Sequence, residues 1–404
     1  MTVHQVVPAV ESVSLEAGLD RIGAAPSLEP FSSEVIGFCS DFSKAIFKDR
    51  EALAYPELQA LAFWMRRAEL VRLDEAFQAS RRPDVLLAPH GIAFHIPPAN
   101  VDTIFIYSWL LSVLAGNRNI VRLSHRVSPQ TEILCRLFNT LLEPAPMLRD
   151  STWMLRYGHE REITEAISAR SDIRVIWGGD VSVNSIRAIP LPPHARELTF
   201  PDRYSFAVVR ASRYLDAAVE RQTVAEQFFN DTFWFDQMAC SSPRLVCWEG
   251  NGEEAHEASS DFLHRLKEHA VRKQYEVQPA TRMARFTFAC GEALEGGASS
   301  YEDFEQFTVL GLDRFEQLTR DHCGGGLLFQ YRIGSLGDLV PFVSRRDQTL
   351  TYFGFDKTEL ENFARRLNGR GIDRMVPIGQ ALNFNRFWDG NDLLVSFLRY
   401  VYIG

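Results

Sequence analysis

The sequence lacks a long apolar run, a paired-cysteine motif and an excess of basic residues. Its most apolar stretch, residues 103–115, is shorter than the roughly 20 residues that span a bilayer, which favours a buried core helix. The six cysteines are scattered and include no Cys-x-x-Cys pair, so we expect neither a metal site nor a disulfide framework. The net charge of −9 argues against a nucleic-acid partner, because such a partner requires a basic face.

The composition is that of a soluble globular protein. The chain has 404 residues, 46% of them hydrophobic and 24% charged, and this length favours two or three domains. Residues 1–20 lack the basic start and apolar core of a signal peptide, so we expect a cytoplasmic protein without an integral membrane segment. Residues 1–30 show little periodicity and predict a loosely ordered leader, whereas helical spacing predicts helices over 33–48 and 55–78.

Short apolar segments alternate with helical patterns from residue 82 onward. This alternation predicts a parallel, doubly wound sheet. The predicted strands are 85–88, 92–96, 119–123, 152–157 and 173–177. After the prolines at 190–193 a second α/β unit begins with a strand over 204–209 and a helix over 214–229.

Two loops that follow predicted strands carry side chains suited to binding. Asn100 follows Pro97-Pro98 where the apolar helix opens, so its amide could donate to a developing oxyanion, although asparagine is also an ordinary helix N-cap. Arg122 lies at a strand end before Ser124 and His125, and could hold a phosphate or a ribose, although a solvated surface arginine fits the same residues.

A third loop contains two adjacent glycines. Gly178 and Gly179 follow a strand and precede Asp180 and Ser182, so the backbone could approach a pyrophosphate at the next helix N-terminus. The segment is not a full Gly-x-Gly-x-x-Gly, and a simple tight turn explains it equally well.

Cys240 lies between a helix-like run and an apolar strand over 245–248. A thiol at the mouth of a cleft can be a nucleophile, because the thiolate is the reactive form and local dipoles lower its pKa. Plain packing is the alternative, since cysteine is among the most buried residue types. The aromatic residues before Cys240 could likewise line a tunnel or belong to the core; they are Phe228, Phe229, Phe233, Trp234 and Phe235.

Taken in order, these motifs resemble the aldehyde dehydrogenase superfamily, and more narrowly its acyl-CoA reductase branch, typified by the fatty-acid reductase subunit of bacterial bioluminescence systems. The order is that of Asn100, Gly116-Asn117, Arg122, Gly179 and Gln237-x-x-Cys240 before Arg244. The segments that carry the narrower resemblance are 177–180, 200–203, 239–243, 371–379 and 388–390, and the resemblance extends from about residue 85 to the end.

The resemblance implies an aldehyde-dehydrogenase-like α/β fold with a Rossmann-type cofactor domain, an α/β catalytic domain and a small oligomerisation element. The implied division is a helical leader (1–80), a dinucleotide-binding domain (81–203), a catalytic domain (204–375) and a C-terminal segment (376–404) that could oligomerise. By motif match, Cys240 becomes the nucleophile, Asn100 and the Cys240 backbone N–H become the oxyanion hole, and Gly179 becomes part of the pyrophosphate-facing turn.

Two departures from the superfamily pattern matter for function. Arg122 stands where these dehydrogenases have lysine, and His125 stands where they have a ribose-binding glutamate; losing that carboxylate favours NADPH over NADH. Glu197 lies where they keep a water-activating glutamate, but its Glu-Leu-Thr-Phe context differs, so an ion-paired carboxylate is the alternative to a general base.

We therefore expect an NADPH-dependent reductase that converts an acyl-CoA or acyl-carrier-protein thioester, with a fatty acyl group, to an aldehyde. Family analogy adds a homo-oligomer. The alternatives are an aldehyde dehydrogenase working in the oxidative direction, an acyl-thioester hydrolase, and a non-catalytic acyl-handling subunit.

Overall fold

The computed structural model describes residues 1–216 and 218–404 and divides the chain into two compact units. Unit 1 comprises Met1–Asp202 and Phe384–Gly404, and unit 2 comprises Arg203–Asn383. The predicted boundary between residues 203 and 204 lies one residue from the observed change of unit.

The helices and strands are numbered in chain order. The helices are α1 (Leu15–Ala24), α2 (Ser33–Lys48), α3 (Pro56–Trp64), α4 (Arg67–Ala79), α5 (Ile104–Leu114), α6 (Pro129–Leu142), α7 (Pro146–Ser151), α8 (Arg161–Ser168), α9 (Asp180–Arg187), α10 (Ala211–Tyr214), α11 (Arg221–Phe233), α12 (Gly252–Arg272), α13 (Pro279–Leu294), α14 (Lys357–Arg366) and α15 (Leu393–Ser396). The strands are β1 (Thr2–Val7), β2 (Val10–Ser14), β3 (Val85–Pro89), β4 (Ile92–Ile96), β5 (Arg118–Leu123), β6 (Thr152–Arg156), β7 (Ile173–Trp177), β8 (Arg196–Phe200), β9 (Tyr204–Arg210), β10 (Pro243–Glu249), β11 (Ser300–Asp303), β12 (Thr308–Gly311), β13 (Leu327–Ile333), β14 (Asp347–Phe353), β15 (Arg374–Pro377), β16 (Phe387–Trp388), β17 (Asn391–Asp392) and β18 (Leu398–Tyr402).

The main sheet of unit 1 has the order β2-β1-β6-β5-β4-β7-β8. Strands β4 to β8 are parallel, and β1 joins β6 and β2 in antiparallel fashion. The predicted doubly wound α/β sheet is therefore confirmed. The chain builds outward from β4 to β6 and then returns to add β7 on the other side of β4. This reversal creates a crevice beyond the carboxyl ends of β4 and β7, which is the usual ligand position in such sheets.

The N-terminal segment differs from the predicted leader. Residues 2–14 form β1 and β2, and α1 follows directly. Val3 and Val7 on β1 are buried, because every second side chain of this short strand faces the core. The period-2 pattern was missed because Pro8 interrupts it after six residues.

Three other elements also differ from the prediction. The helix predicted over 55–78 is two helices, α3 and α4, separated at residues 65–66. The helix predicted from residue 214 begins only at Arg221, as α11. The strand predicted at 85–88 is β3, which is mostly accessible because it pairs with β18 outside the main sheet.

The apolar stretch after residue 103 is α5. Ten of its eleven side chains are buried within unit 1, which confirms the predicted core helix. Among the described residues, no helix combines the length and the apolar character needed to cross a bilayer.

The sheet of unit 2 has the order β11-β12-β13-β10-β9-β14-β15 and is parallel except for the β11–β12 pair. Alternate side chains of β9 enter different cores: Phe206 and Val208 pack with α14, and Ala207 and Val209 pack with α12. Both faces are covered, which explains the continuous apolar character of these strands. The predicted boundary at residue 376 falls inside β15, and the chain leaves unit 2 only after Asn383. A role of the C-terminal segment in oligomerisation stays a prediction.

Candidate active site

Cys240 is half-buried in the loop between α11 and β10, at the amino end of β10. The other thiols differ in burial. Cys39, Cys135 and Cys247 are buried. Burial raises the pKa of Cys135 to about 12 and that of Cys39 and Cys247 further still, so these three stay protonated and unreactive. Cys290 is exposed, and Cys323 is half-buried like Cys240, although burial raises the pKa of the Cys323 thiol. Partial access therefore leaves Cys240 a candidate nucleophile, and its role as the nucleophile stays a prediction.

A buried arginine supports this loop from beneath. Arg244 on β10 is 2% exposed. One terminal nitrogen, Nη2, donates to the carbonyl of Ala239 at 3.2 Å and to that of Gln237 at 3.4 Å. The other, Nη1, donates to the carbonyl of Arg203 at 3.2 Å. The guanidinium therefore joins this loop, residues 234–242 and here called the Cys240 loop, to the start of β9.

A buried amide supports the same loop from the other side. Gln237 has a positive φ of 63° and is fully buried. Its Nε2 donates to the carbonyls of Pro243 at 3.0 Å and Leu327 at 2.8 Å, and its Oε1 accepts from the backbone N–H of Gly326 at 3.2 Å. All three of these hydrogen bonds are made to backbone groups, so the Gln237 side chain links the loop firmly to β13.

The glycine run before β13 packs against the Cys240 loop. Gly324, Gly325 and Gly326 have φ values of 66°, 63° and 84°, a region that other residues adopt at a cost. The N–H of Gly325 donates to the carbonyl of Asp236 at 2.7 Å. These glycines were given no role in the predictions from sequence. The run of three glycines could have indicated a special backbone conformation, because the interior of a strand or helix tolerates such a run poorly.

The direction of the nearby helix differs from the expected one for thiol activation. Cys240 follows the carboxyl end of α11, at Phe233, rather than preceding a helix N-terminus. A helix macrodipole from its own chain segment therefore does not favour the thiolate. The buried Arg244 cation beneath the loop is a positive group that the sequence did not reveal.

The aromatic residues on α11 belong mainly to the core. Phe228, Phe229 and Phe233 are at most 6% exposed and pack with Phe262, Tyr275 and other core side chains. Trp234 is 37% exposed. Core packing therefore accounts for the three phenylalanines.

Asn100 lies on the surface of unit 1, in the loop after β4. The helix begins at Ile104 with Thr103 as its N-cap, so the ordinary capping role considered for Asn100 is wrong. Its position beyond the carboxyl end of β4 places it beside the crevice at the strand-order reversal. Its role as an oxyanion donor stays a prediction.

The glycine turn follows β7 at the same edge of the sheet. The N–H of Gly178 donates to the carbonyl of Phe200 at 3.1 Å, and Gly179 is the N-cap of α9. A Cβ added to Gly179 would meet no heavy atom within 4 Å, so this turn leaves room for a group to approach its backbone. Asp180 accepts the Asp202 N–H at 3.2 Å. Ser182 is exposed in the first turn of α9. Contact of these residues with a dinucleotide phosphate stays a prediction.

The loop after β5 holds the other predicted cofactor residues. The Arg122 side chain is half-buried, donates to the carbonyl of Gly158 and lies 5.1 Å from the Tyr157 ring centroid, so it is not a freely solvated surface arginine. Ser124 Oγ accepts the Arg126 N–H at 3.1 Å. His125 is exposed. Contact of these residues with a nucleotide stays a prediction.

Glu197 on β8 is held by two arginines. Arg174, which is 1% exposed, donates from Nε to Oε2 at 2.9 Å and also from Nη2. Arg187 donates to Oε1 at 3.0 Å. These contacts favour the ion-paired alternative over the general base.

Comparison with known proteins places the chain in a family. A family model described as acyl-CoA reductase (LuxC) matches residues 73–400. Two curated proteins named long-chain acyl-protein thioester reductase, from Photorhabdus laumondii subsp. laumondii and Vibrio harveyi, are both 22% identical over 294 and 300 residues. Each alignment covers 72% of this chain but only 58% and 59% of the relatives, so the chain spans less than two thirds of their length.

Solved structures show the same fold at lower identity. Betaine aldehyde dehydrogenase from Staphylococcus aureus, in a crystal structure with NAD+, has a TM-score of 0.68 at 12% identity and covers 100% of this chain and 91% of its own. The resemblance to aldehyde dehydrogenases stated from the sequence is confirmed. With its family match extending over most of its length, this chain belongs to the acyl-CoA reductase (LuxC) family and has an aldehyde dehydrogenase fold.

Proposed function

We propose that this protein is an NADPH-dependent reductase that converts an acyl thioester to an aldehyde through an acyl group carried on Cys240. The observation that carries the proposal is the half-buried Cys240 thiol in a loop braced by Gln237 and Arg244. The family match and the printed activity of the two relatives support the same reaction class. The donor is an acyl-CoA or an acylated carrier protein, with a fatty acyl group.

The reaction begins with attack of the Cys240 thiolate on the thioester carbonyl. The carbonyl carbon forms a bond to sulfur, its oxygen takes the negative charge, and the carrier leaves as its thiol after taking a proton. A new thioester on Cys240 results. A nicotinamide dinucleotide, when bound, would supply the hydride that reduces this thioester. With one proton from solvent, the product is a thiohemiacetal on Cys240, which breaks to free aldehyde and the regenerated thiol.

Two donors stabilise the oxyanion in this proposal. The Asn100 amide and the Cys240 N–H act where charge develops, which accelerates the step more than substrate binding would. Glu197 takes no part, because its two oxygens are engaged by Arg174 and Arg187. A site without a water-activating carboxylate suits a reductase, because the thioester must survive until reduction.

The cofactor would be held by backbone and side chains of unit 1. Gly178, Gly179 and the first turn of α9, including Ser182, suit the pyrophosphate. Arg122 supplies positive charge, and His125 stands where aldehyde dehydrogenases have a ribose-binding glutamate, which supports a 2′-phosphate and therefore NADPH. Titration of the apo protein with NADPH and NADH tests this choice: equal or tighter NADH binding contradicts it.

The proposed reaction is tested by aldehyde formation from acyl-CoA and NADPH, in wild type and in Cys240→Ala. Cys290→Ala is the matched control, because that thiol is exposed on α13 and outside the site. We expect aldehyde from wild type and Cys290→Ala, and none above background from Cys240→Ala. Acid formation from aldehyde and NADP+ would favour the oxidative alternative. Acid release from acyl-CoA without nucleotide would favour a hydrolase, and an unreactive wild type would favour a non-catalytic acyl-handling subunit.

A further inference from the structure

The two peptide groups that flank Cys240 are anchored through their carbonyl oxygens to buried polar side chains. The carbonyl of Ala239, in the peptide group before Cys240, accepts from Arg244 at 3.2 Å. The carbonyl of Cys240, in the peptide group after it, accepts from the Ser205 hydroxyl at 2.7 Å. Both anchors are rigid: Arg244 is 2% exposed and Ser205 is fully buried.

We propose that Arg244 and Ser205 are positioning residues that orient the Cys240 N–H as an oxyanion donor. In a trans peptide group the C=O and N–H bonds point in opposite directions. Because the Ala239 carbonyl points to the buried guanidinium, the N–H of Cys240, which shares that peptide plane, points away from it. Holding the Cys240 carbonyl on Ser205 fixes the second plane and leaves the residue between them little freedom to rotate.

The anchors are themselves held on the central strands of unit 2. Arg244 lies on β10, and its second nitrogen donates to the carbonyl of Arg203 before β9. Ser205 lies on β9, and its oxygen accepts the N–H of Thr349 on β14 at 3.2 Å. Three adjacent parallel strands thus set the orientation of the loop. Functional groups that rest on sheet strands are placed more accurately than groups supported only by loops.

The inference rests on the proposed function, because an oxyanion donor matters only if Cys240 is acylated. It also predicts different effects on two reactions of Cys240, whereas a merely structural role predicts the same effect on both. Alkylation of a thiolate by iodoacetamide forms no oxyanion, whereas acylation by a 4-nitrophenyl acyl ester does. Loss of N–H orientation therefore slows acylation selectively, and a general distortion of the loop slows both reactions.

The experiment measures both rates at Cys240 by peptide mass spectrometry, in wild type, Arg244→Lys and Ser205→Ala. Lysine keeps the charge but cannot reach the same carbonyls with a planar fork. Removing one oxyanion donor costs about 10²–10³ in rate, so we expect misorientation to slow acylation by about 10- to 100-fold. We expect alkylation to stay within about threefold of wild type.

Arg374→Lys is the matched control. Arg374 also donates to three backbone carbonyls of unit 2, and these lie outside the Cys240 loop. They are the carbonyls of Gln380, Ala381 and Asn383. We expect an unchanged ratio of acylation to alkylation in this variant.

An unchanged ratio in Ser205→Ala overturns the inference, and this variant decides the question if Arg244→Lys does not fold. A fall in both rates by the same factor overturns it as well. If wild-type Cys240 is alkylated but takes no acyl group, the proposed function fails; if wild type is acylated and the variants keep its ratio, only the positioning role fails.

Discussion

Removing the Glu197 carboxylate separates an ion-pair partner from a catalytic base. Arg174 is 1% exposed and makes its remaining side-chain contact to the Ser168 hydroxyl at 3.1 Å. Glu197→Ala therefore leaves a buried guanidinium with one neutral partner. Arg187 shares the same carboxylate but is 56% exposed, so its loss leaves no buried charge.

The magnitude follows from burial. Removing one partner of a buried ion pair costs about 3–5 kcal/mol, and since Glu197 is itself 19% exposed we expect about 2–4 kcal/mol for Glu197→Ala. Arg187→Ala should cost about 0–1 kcal/mol, as exposed pairs do. The double variant Arg174→Met/Glu197→Leu should recover much of the lost stability, because apolar side chains can replace a buried pair at little cost.

The assay is denaturant unfolding, together with the turnover number of the folded enzyme below its unfolding temperature. We expect Glu197→Ala to keep the turnover number within about threefold. A general base contributes about 10²–10⁴ in rate. A loss of that size with an unchanged free energy of unfolding would refute the ion-pair account and make Glu197 the base.

Three further predictions follow from burial and backbone geometry. Burial raises the pKa of Asp231 to about 7 from its usual 3.8. The contribution of Asp231 to the free energy of unfolding is therefore full below pH 3.8 and falls by up to about 4 kcal/mol as the pH rises through 7. Asp231→Asn should remove this dependence in denaturant titrations, and an unchanged pH profile would contradict it. Gly325→Ala should lower the free energy of unfolding by more than about 1 kcal/mol, because φ is 63° and the new Cβ would lie 2.2 Å from Thr281 Cγ2; equal stability would show that the glycine run is not required. Gly179→Ala should leave the free energy of unfolding within about 0.5 kcal/mol of wild type, because φ is −65° and the new Cβ would meet no atom. The same variant should weaken NADPH binding at least about tenfold, because the methyl group blocks approach to the backbone. An unchanged affinity would remove Gly179 from the cofactor site.

The parallel strands were predictable because their chemistry is simple. Residues 92–96 and 173–177 are apolar apart from His95 and Arg174, and both segments form fully buried strands. Such runs are typical of parallel sheets, whose two faces are both covered. The thiol at Cys240 was equally visible, because it falls between a helix pattern and a strand pattern.

Helix α13 was not predicted, because its apolar pattern is inverted. Its buried positions include Arg285 and Glu292, whereas Met283, Phe286 and Leu294 are 64%, 55% and 89% exposed. A pattern argument assumes that apolar side chains face the core. Here the core-facing arginine instead donates to three backbone carbonyls of neighbouring loops.

The side chains that support the Cys240 loop could not be predicted from the sequence either. Arg244 and Gln237 are polar residues that composition assigns to the surface, yet both are buried. Their burial depends on backbone carbonyls from residues up to 90 positions away, such as Leu327 for Gln237. Such long-range satisfaction of hydrogen bonds has no local signal.

Intact-protein mass spectrometry of the enzyme after exposure to a panel of acyl-CoAs, without nucleotide, is the most direct test of the acyl-enzyme. The account predicts a mass increase equal to one acyl group, located on Cys240 and absent in Cys240→Ala. This added mass should be lost when NADPH is added, with release of the matching aldehyde. An unmodified Cys240 in a protein that still makes aldehyde would contradict it.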